Sequence, residues 1–222
     1  GLKDLNWSEV DSAENAKEGQ LNILNISDDI YSHQPGKLTS EAGQYSYKSL
    51  ERAVDDLASS KVDVLVTAPI NKEAITKSGF KFPGHTEYLA HMANAEDVLM
   101  FLVAENLRIG IVTGHIALKD VASSLSAKNI KSKLELMHES LTRDFGCPSP
   151  RIAVLGLNPH AGDNGLMGDE EGNIISPVIK DANAAGMKVF GPFAADGFFG
   201  SGTHKDFDGV LAMYHDQGLA PF

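Results

Sequence analysis

The sequence predicts an α/β protein in which helices cover a parallel or mixed sheet, and three observations carry that reading. Short runs that are apolar on both faces alternate along the chain with segments of helical period. The strand-like runs are rich in Val and Ile and stop at glycine, proline or polar turn residues. The chain has 222 residues and 42% hydrophobic content, enough for one substantial core or two small lobes.

Taken in order, residues 21–26 (Leu-Asn-Ile-Leu-Asn-Ile) alternate with period two and read as a half-buried strand. The polar stretch that follows contains His33, read as a solvated loop residue. Residues 40–59 turn helical, with Tyr47, Leu50, Ala53, Val54 and Leu57 on one face and Glu51, Arg52, Asp55 and Asp56 opposite. A strand stopped by Pro69 is predicted over 61–69, and a short helix over 71–78 with Gly79 as its stop. Two β-branched runs follow at 98–103 and 107–113. The clearest helix spans 127–145, where Ile130, Leu134, Met137, Leu141 and Phe145 make one stripe that Gly146 and Pro148 terminate. Strand 151–157, helix 173–185 and strands 187–190 and 207–213 complete the pattern. There is no internal repeat and no long linker, so 1–222 reads as one region whose lobe boundary is buried in the topology.

Charge and composition narrow the function. The formal net charge is −11, from 19 Lys and Arg against 30 Asp and Glu. Such a surface repels a phosphate backbone, which argues against a nucleic-acid partner. It also means that an anionic substrate needs local help from a metal ion, a helix N-terminus or a placed lysine. The single cysteine, Cys147, forbids an intrachain disulfide. No stretch approaches a membrane span and the first residues carry no signal pattern, so no membrane is expected and the location expected is cytoplasmic.

In open α/β sheets ligands gather beyond the C-terminal ends of the strands. Four such ends carry chemistry here: Thr67-Ala68-Pro69-Ile70-Asn71-Lys72, Thr113-Gly114-His115, Gly156-Leu157-Asn158-Pro159-His160-Ala161-Gly162, and Ala212-Met213-Tyr214-His215-Asp216-Gln217-Gly218. Three of the four deliver a histidine. His115, His160 and His215 lie far apart in sequence and match no local metal motif, so unrelated loop histidines and a shared metal site both remain open. If neighbouring strands converge them, three neutral imidazoles with an open position suit a catalytic divalent metal. At Pro83-Gly84-His85-Thr86-Glu87 a turn precedes a helix start, where backbone N–H groups with His85 and Thr86 could hold an anion. The plainer reading there is Thr86 as an N-cap, and the two are compatible. The acidic, glycine-rich stretch 162–171 does not fit a calcium loop and reads as a mobile connection. No G-x-G-x-x-G follows a strand, so a Rossmann dinucleotide site is not indicated.

These blocks, together with Thr113-Gly114-His115-Ile116 and Ala195-Asp196-Gly197, resemble in order and spacing the signature segments of the 4-hydroxythreonine-4-phosphate dehydrogenase family, from about Gly36 to Phe222. The resemblance implies a fold similar to isocitrate and isopropylmalate dehydrogenases, with two α/β lobes and a homodimer whose active sites lie at the subunit interface. It implies His115, His160 and His215 as ligands of a divalent metal (Zn, Co or Mg) shared between subunits. It also implies His85, Thr86 and Asp196 as substrate-binding residues, and leaves Lys72 and Asp216 as candidates for proton handling. The expected reaction is oxidation of 4-phosphohydroxy-L-threonine by NAD or NADP, with decarboxylation to 3-amino-2-oxopropyl phosphate in pyridoxal 5'-phosphate (vitamin B6) biosynthesis. Relative to the family pattern the chain enters after the first strand and its Gly-Ile-Gly-type turn. It stops at Pro221-Phe222, before the family's substrate-binding lysine and nucleotide-contacting segment, which leaves the large lobe incomplete and assigns no cofactor-binding residues. Ala117 stands where many members have proline. The alternatives within reach are a dehydrogenase of 4-phospho-threonate or 4-phospho-erythronate, an inactive metal-binding fragment, and a metal-dependent hydrolase.

Overall fold

A computed structural model describes residues 5–27, 31–32 and 34–222; His33 lies outside the described residues. The chain divides into two compact units, Gly1–Glu96 and Asp97–Phe222.

In the first unit, strand β1 (Trp7–Val10) pairs in parallel with β2 (Leu21–Leu24). Helix α1 (Ser40–Ala58) starts where Thr39 Oγ1 accepts from the Ala42 N–H, and α2 (Lys72–Lys77) where Asn71 caps Ala74 in the same way. Helix α3 spans His85–Met92. Leu50, Val54, Ile75, Phe80 and Tyr88 form the core, with Phe82 and Tyr47 packed edge-on against the buried rings. Gly43 lets α1 approach α2, because a Cβ there would lie 2.0 Å from the Ala74 carbonyl oxygen.

Two sequence expectations are corrected in this unit. The alternation over 21–26 does yield a strand, but Leu21 and Ile23 are 50% and 45% exposed, beside Trp7 at 56%. The face that the pattern assigns to a core is thus about half exposed. The segment 61–69 is not a strand and has no regular secondary structure, with Val64 and Val66 68% and 89% exposed. Its β-branched composition favours extension, but a strand exists only with a hydrogen-bonding neighbour, and no described strand pairs with it.

The second unit is built on a five-stranded sheet in the order β3 (Met100–Ala104), β4 (Leu107–Thr113), β7 (Gly209–Tyr214), β5 (Arg151–Leu155), β6 (Lys188–Phe193). β3 and β4 form an antiparallel pair, and all other pairings are parallel. Helix α4 is a single turn, Val121–Ser124. Helix α5 (Ala127–Arg143) begins with a capping box between Ser126 and Asn129. It lays Ile130, Leu134, Met137 and Leu141 against Ile152, Val154, Leu211 and Met213, joined by α6 (Ser176–Ala184) through Val178, Ile179 and Ala182. The opposite face of the sheet, Ile109, Ala153, Leu155, Val210 and Ala212, meets Phe198 of α7 (Ala195–Gly200), with Phe193 and Phe207 around it. Along β7 the residues alternate between these two cores, the period-two signature of a strand buried on both sides.

Boundaries shift modestly from those read in sequence. Phe145 lies past the end of α5, half-buried on the same core, with Gly146 at φ 66° turning the chain away. The segment 173–185 begins as a π-helical turn (Glu171–Ile175) before α6. β6 extends to Phe193, while β5 stops at Leu155. β1, α4, α7 and α8 (His215–Leu219) are short elements that the sequence patterns did not mark. Among the described residues no helix is long and apolar enough to cross a membrane.

Candidate active site

The three histidine-bearing strands β4, β7 and β5 are consecutive in the sheet and parallel, so their C-terminal ends share one edge. β4 and β7 are in register to their last residues, Thr113 opposite Tyr214. His115 follows in the turn after β4 and His215 is the first residue of α8. Their ring centroids lie 5.2 Å apart at an angle of 44°. A cavity of about 190 Å³ opens beside them, lined also by Ile116, Leu118 and Tyr214. Asp216 Oδ1 lies 2.7 Å from His215 Nδ1. A carboxylate here accepts from Nδ1, and in the neutral imidazole that contact leaves Nε2 as the nitrogen that can bind a metal. Asp216 itself is exposed.

His160 is carried differently. After β5 the residues His160, Ala161, Gly162, Asp163 and Asn164 all adopt positive φ, between 43° and 82°, as a left-handed turn within Pro159–Gly165. Four of the five carry a Cβ, and the left-handed region costs such residues about 1–2 kcal/mol each, less for Asn and Asp. The turn is held from behind. The Asn158 N–H donates to Glu171 Oε1 at 2.7 Å, and Asn158 Nδ2 donates to Glu170 Oε2 at 2.7 Å and Glu171 Oε2 at 3.0 Å. Glu171 is buried. Gly162 and Gly168 close the knot: a Cβ on Gly162 would sit 2.6 Å from Glu171 Oε2, and one on Gly168 2.3 Å from Asn158 Nδ2. The stretch read in sequence as a mobile connection is therefore a pinned turn, because Glu170 and Glu171 at its end bind the backbone and amide donors of Asn158, while Asp163 and Asp169 stay exposed. His160 stands exposed on it.

Two further side chains cross-tie the strand ends. Thr113 Oγ1, buried, donates to the Met213 carbonyl at 2.7 Å. The Gln217 side chain accepts from the Met213 N–H at 2.7 Å and donates to the Gly156 carbonyl at 2.6 Å. Thr113, Asn158 and Gln217 all stand in the strand-end segments singled out by sequence, and Glu171 ends the acidic stretch. Their roles depend on contacts that no local spacing reveals.

The structure thus brings His115, His215 and Asp216 together. Among the described residues no group of three or more His, Cys, Asp or Glu side chains is close enough to hold a metal ion, so His160 does not close on the other two within this chain. Asp196 is exposed in the first turn of α7, beyond the end of β6 and so on the same sheet edge.

The remaining candidates belong to the first unit. Gly84, not Thr86, is the N-cap of α3. No side chain caps that end, so the first-turn N–H groups beside His85 and Thr86 remain available to an anion, although Glu87 also lies in that turn. His85 borders a cavity of about 390 Å³ with Ser46 and Ser49 of α1 and residues 65–70. Lys72 is exposed at the first position of α2. Cys147 is half-buried with its thiol 3.8 Å from the Phe145 carbonyl.

Comparison with known proteins gives the family of the chain. The family model of the pyridoxal phosphate biosynthetic protein PdxA matches residues 2–222. The 4-hydroxythreonine-4-phosphate dehydrogenase of Bacteroides thetaiotaomicron is 46% identical over 218 residues, covering 98% of this chain and 60% of its own length. A relative from Bradyrhizobium diazoefficiens named for D-threonate 4-phosphate dehydrogenase activity is 40% identical over 188 residues, covering 85% of this chain and 54% of its own. The crystal structure of the Klebsiella pneumoniae 4-hydroxythreonine-4-phosphate dehydrogenase superposes with a TM-score of 0.88 at 36% identity, over 98% of this chain and 66% of that one. The chain therefore spans about two thirds or less of the length of each of these relatives. With the match running through every motif that bears the candidate residues, the chain belongs to the PdxA family.

Proposed function

We propose that the protein acts in a metal-dependent, NAD(P)-linked dehydrogenase that oxidises 4-phosphohydroxy-L-threonine at C3 in pyridoxal 5'-phosphate biosynthesis. The observation that carries the reading is the His115–His215 pair, delivered by adjacent parallel strands with one imidazole oriented by Asp216. A histidine whose second nitrogen donates to a carboxylate is the usual preparation of a metal ligand, since it fixes the tautomer and raises the basicity of the free nitrogen. Nitrogen donors of this kind suit zinc or cobalt better than magnesium, which prefers oxygen. His115 and His215 would hold the ion, with His160 of a second copy in a homodimer as the third ligand. The pinned turn presents His160 outward.

When bound, the metal acidifies the substrate hydroxyl and polarises the ketone that its oxidation produces. A bound nicotinamide would take the hydride from C3 as the hydroxyl proton is released, and loss of carbon dioxide from the β-keto acid, with a proton taken up at the former α-carbon, would leave 3-amino-2-oxopropyl phosphate. The chain's own residues supply position. Asp216 keeps the His215 ring in one tautomer, and the uncapped first turn of α3 with His85 and Thr86 takes the phosphate of the substrate. Asp196 contacts the polar body of the substrate, and Lys72, exposed at the start of α2, serves proton transfer. A second reading within the family, a dehydrogenase of D-threonate 4-phosphate, is favoured by the identity to the relative named for that activity. The two substrates differ at the carbon that carries an amino group in one and a hydroxyl in the other.

The test is NAD and NADP reduction by the zinc- or cobalt-loaded protein with each substrate, and with His160→Ala as control. Metal-dependent reduction with the amino acid substrate, abolished by the variant, is the expected result. Preference for the threonate ester would select the second reading. Reduction that persists in the metal-free protein, or in His160→Ala, would overturn both.

A further inference from the structure

We infer that Gln217 is a positioning residue that sets the spacing of the histidine-bearing strand ends, an inference that rests on the metal-site reading above. The ladder between β5 and β7 ends at the pair Val154 and Leu211, short of the residues that matter. Beyond it the two strands have no backbone hydrogen bond to each other, although one leads to His160 and the other to His215. Gln217, reaching back from α8, takes the place of the missing rungs. Its oxygen accepts from the Met213 N–H and its nitrogen donates to the Gly156 carbonyl. Only one orientation of the amide satisfies both partners, and only a primary amide offers an acceptor and a donor at this reach.

The same peptide region is held on its other side. The Met213 carbonyl accepts from Thr113 Oγ1, so Met213 is tied to β4 through its oxygen and to β5 through its nitrogen. Thr113 stands just before Gly114-His115, and Met213 just before Tyr214-His215. One residue on the central strand is thus the junction at which the three strand ends are spaced. Gly218 allows α8 to lie close enough for this reach: it is buried, and a Cβ there would come within 3.1 Å of Ile109. A metal ligand carried on a turn keeps its geometry only when the turn is held to a fraction of an ångström, and supporting hydrogen bonds supply that.

The experiment compares cobalt(II) binding by the 222-residue chain with that of Gln217→Met, which keeps the side-chain length and loses both hydrogen bonds. Gln217→Glu is the second variant, keeping the acceptor for Met213 but setting a carboxylate oxygen against the Gly156 carbonyl. Leu134→Ala, which weakens the same core without touching the tie, controls for stability. The readouts are affinity by chelator competition and the visible absorption bands of bound cobalt. Both Gln217 variants are expected to bind on the order of 10-fold more weakly, with shifted bands, while Leu134→Ala binds as the parent does. If Gln217→Met, or Gln217→Glu should the first not fold, matches the parent in affinity and spectrum while His215→Ala loses binding, the positioning role is wrong and the metal site stands. If the parent and His215→Ala bind alike, or neither binds, the metal site itself fails and this inference with it.

Discussion

Replacing Gly162 by alanine tests whether the turn that carries His160 is pinned by Glu171. Gly162 has φ +82°, so any side chain there meets left-handed strain of about 1–2 kcal/mol. The added methyl would also lie 2.6 Å from Glu171 Oε2 and 3.1 Å from the Gly168 carbonyl oxygen. Glu171 is buried and already committed to two donors on Asn158, so it can retreat only by giving up one of them. A hydrogen bond to a charged group is worth about 1.5–3 kcal/mol. The two effects together place the loss for Gly162→Ala at about 2.5–5 kcal/mol. Gly165 supplies the control within the same turn: φ is +94°, yet nothing lies within 4 Å of its Cβ position. Gly165→Ala should cost only the strain, about 1–2 kcal/mol. The smaller conformational freedom that alanine gives the unfolded chain is common to both variants and cancels. Urea unfolding of both, following the transition of the Asp97–Phe222 unit, measures the difference. Equal losses in the two variants would refute the clamp, because strain alone would then explain Gly162.

Three other outcomes follow from the same physical reasoning. Burial pushes the Asp97 carboxyl up, but hydrogen bonds from Lys133 and Ser132 outweigh it and hold its pKa below the ordinary 3.8. The associated stability is complete above that ordinary value and is lost as pH falls through the lower folded value. Asp97→Asn should therefore flatten the acid side of a stability-versus-pH curve, and superimposable curves would contradict the assignment. Leu134→Ala removes a side chain 1% exposed between α5 and the sheet and should cost about 2–5 kcal/mol by urea unfolding; a loss below about 1 kcal/mol would place that side chain outside the core. Ser126→Ala deletes the acceptor of the capping box at α5 and should cost about 1 kcal/mol, read as faster amide exchange in the first turn of that helix.

Much of this fold is legible in the sequence wherever a segment's partners are dictated by its own period. Ile130, Leu134, Met137 and Leu141 recur at helical spacing, and all four are buried on the sheet as that spacing requires. The run 107–113, apolar on both faces, is a central strand for the same reason. Val64 and Val66 show where the reasoning stops: their composition specifies extension, but pairing requires a neighbour that lies elsewhere. β1 is missed because Trp7-Ser8-Glu9-Val10 is short and mixed in polarity. Within the site, the position of His115 and His215 at strand ends is readable, whereas the adjacency of β4 and β7 that sets them side by side is not. The work of Gln217 and Glu171 is not, because it depends on contacts with Gly156 and Asn158 made across a turn and across the sheet. The left-handed turn is hidden for a similar reason: Ala161 and His160 have no intrinsic preference for it and adopt it only because Asn158 is clamped.

The most direct test of the central claim counts the imidazoles on a bound ion. X-ray absorption at the zinc edge, on protein loaded with one equivalent of zinc, should show three histidine nitrogens at about 2.0–2.1 Å. The same measurement on His160→Ala should show two. A parent spectrum dominated by oxygen ligands, or one that is unchanged when His115 or His215 is replaced by alanine, would contradict the three-histidine centre.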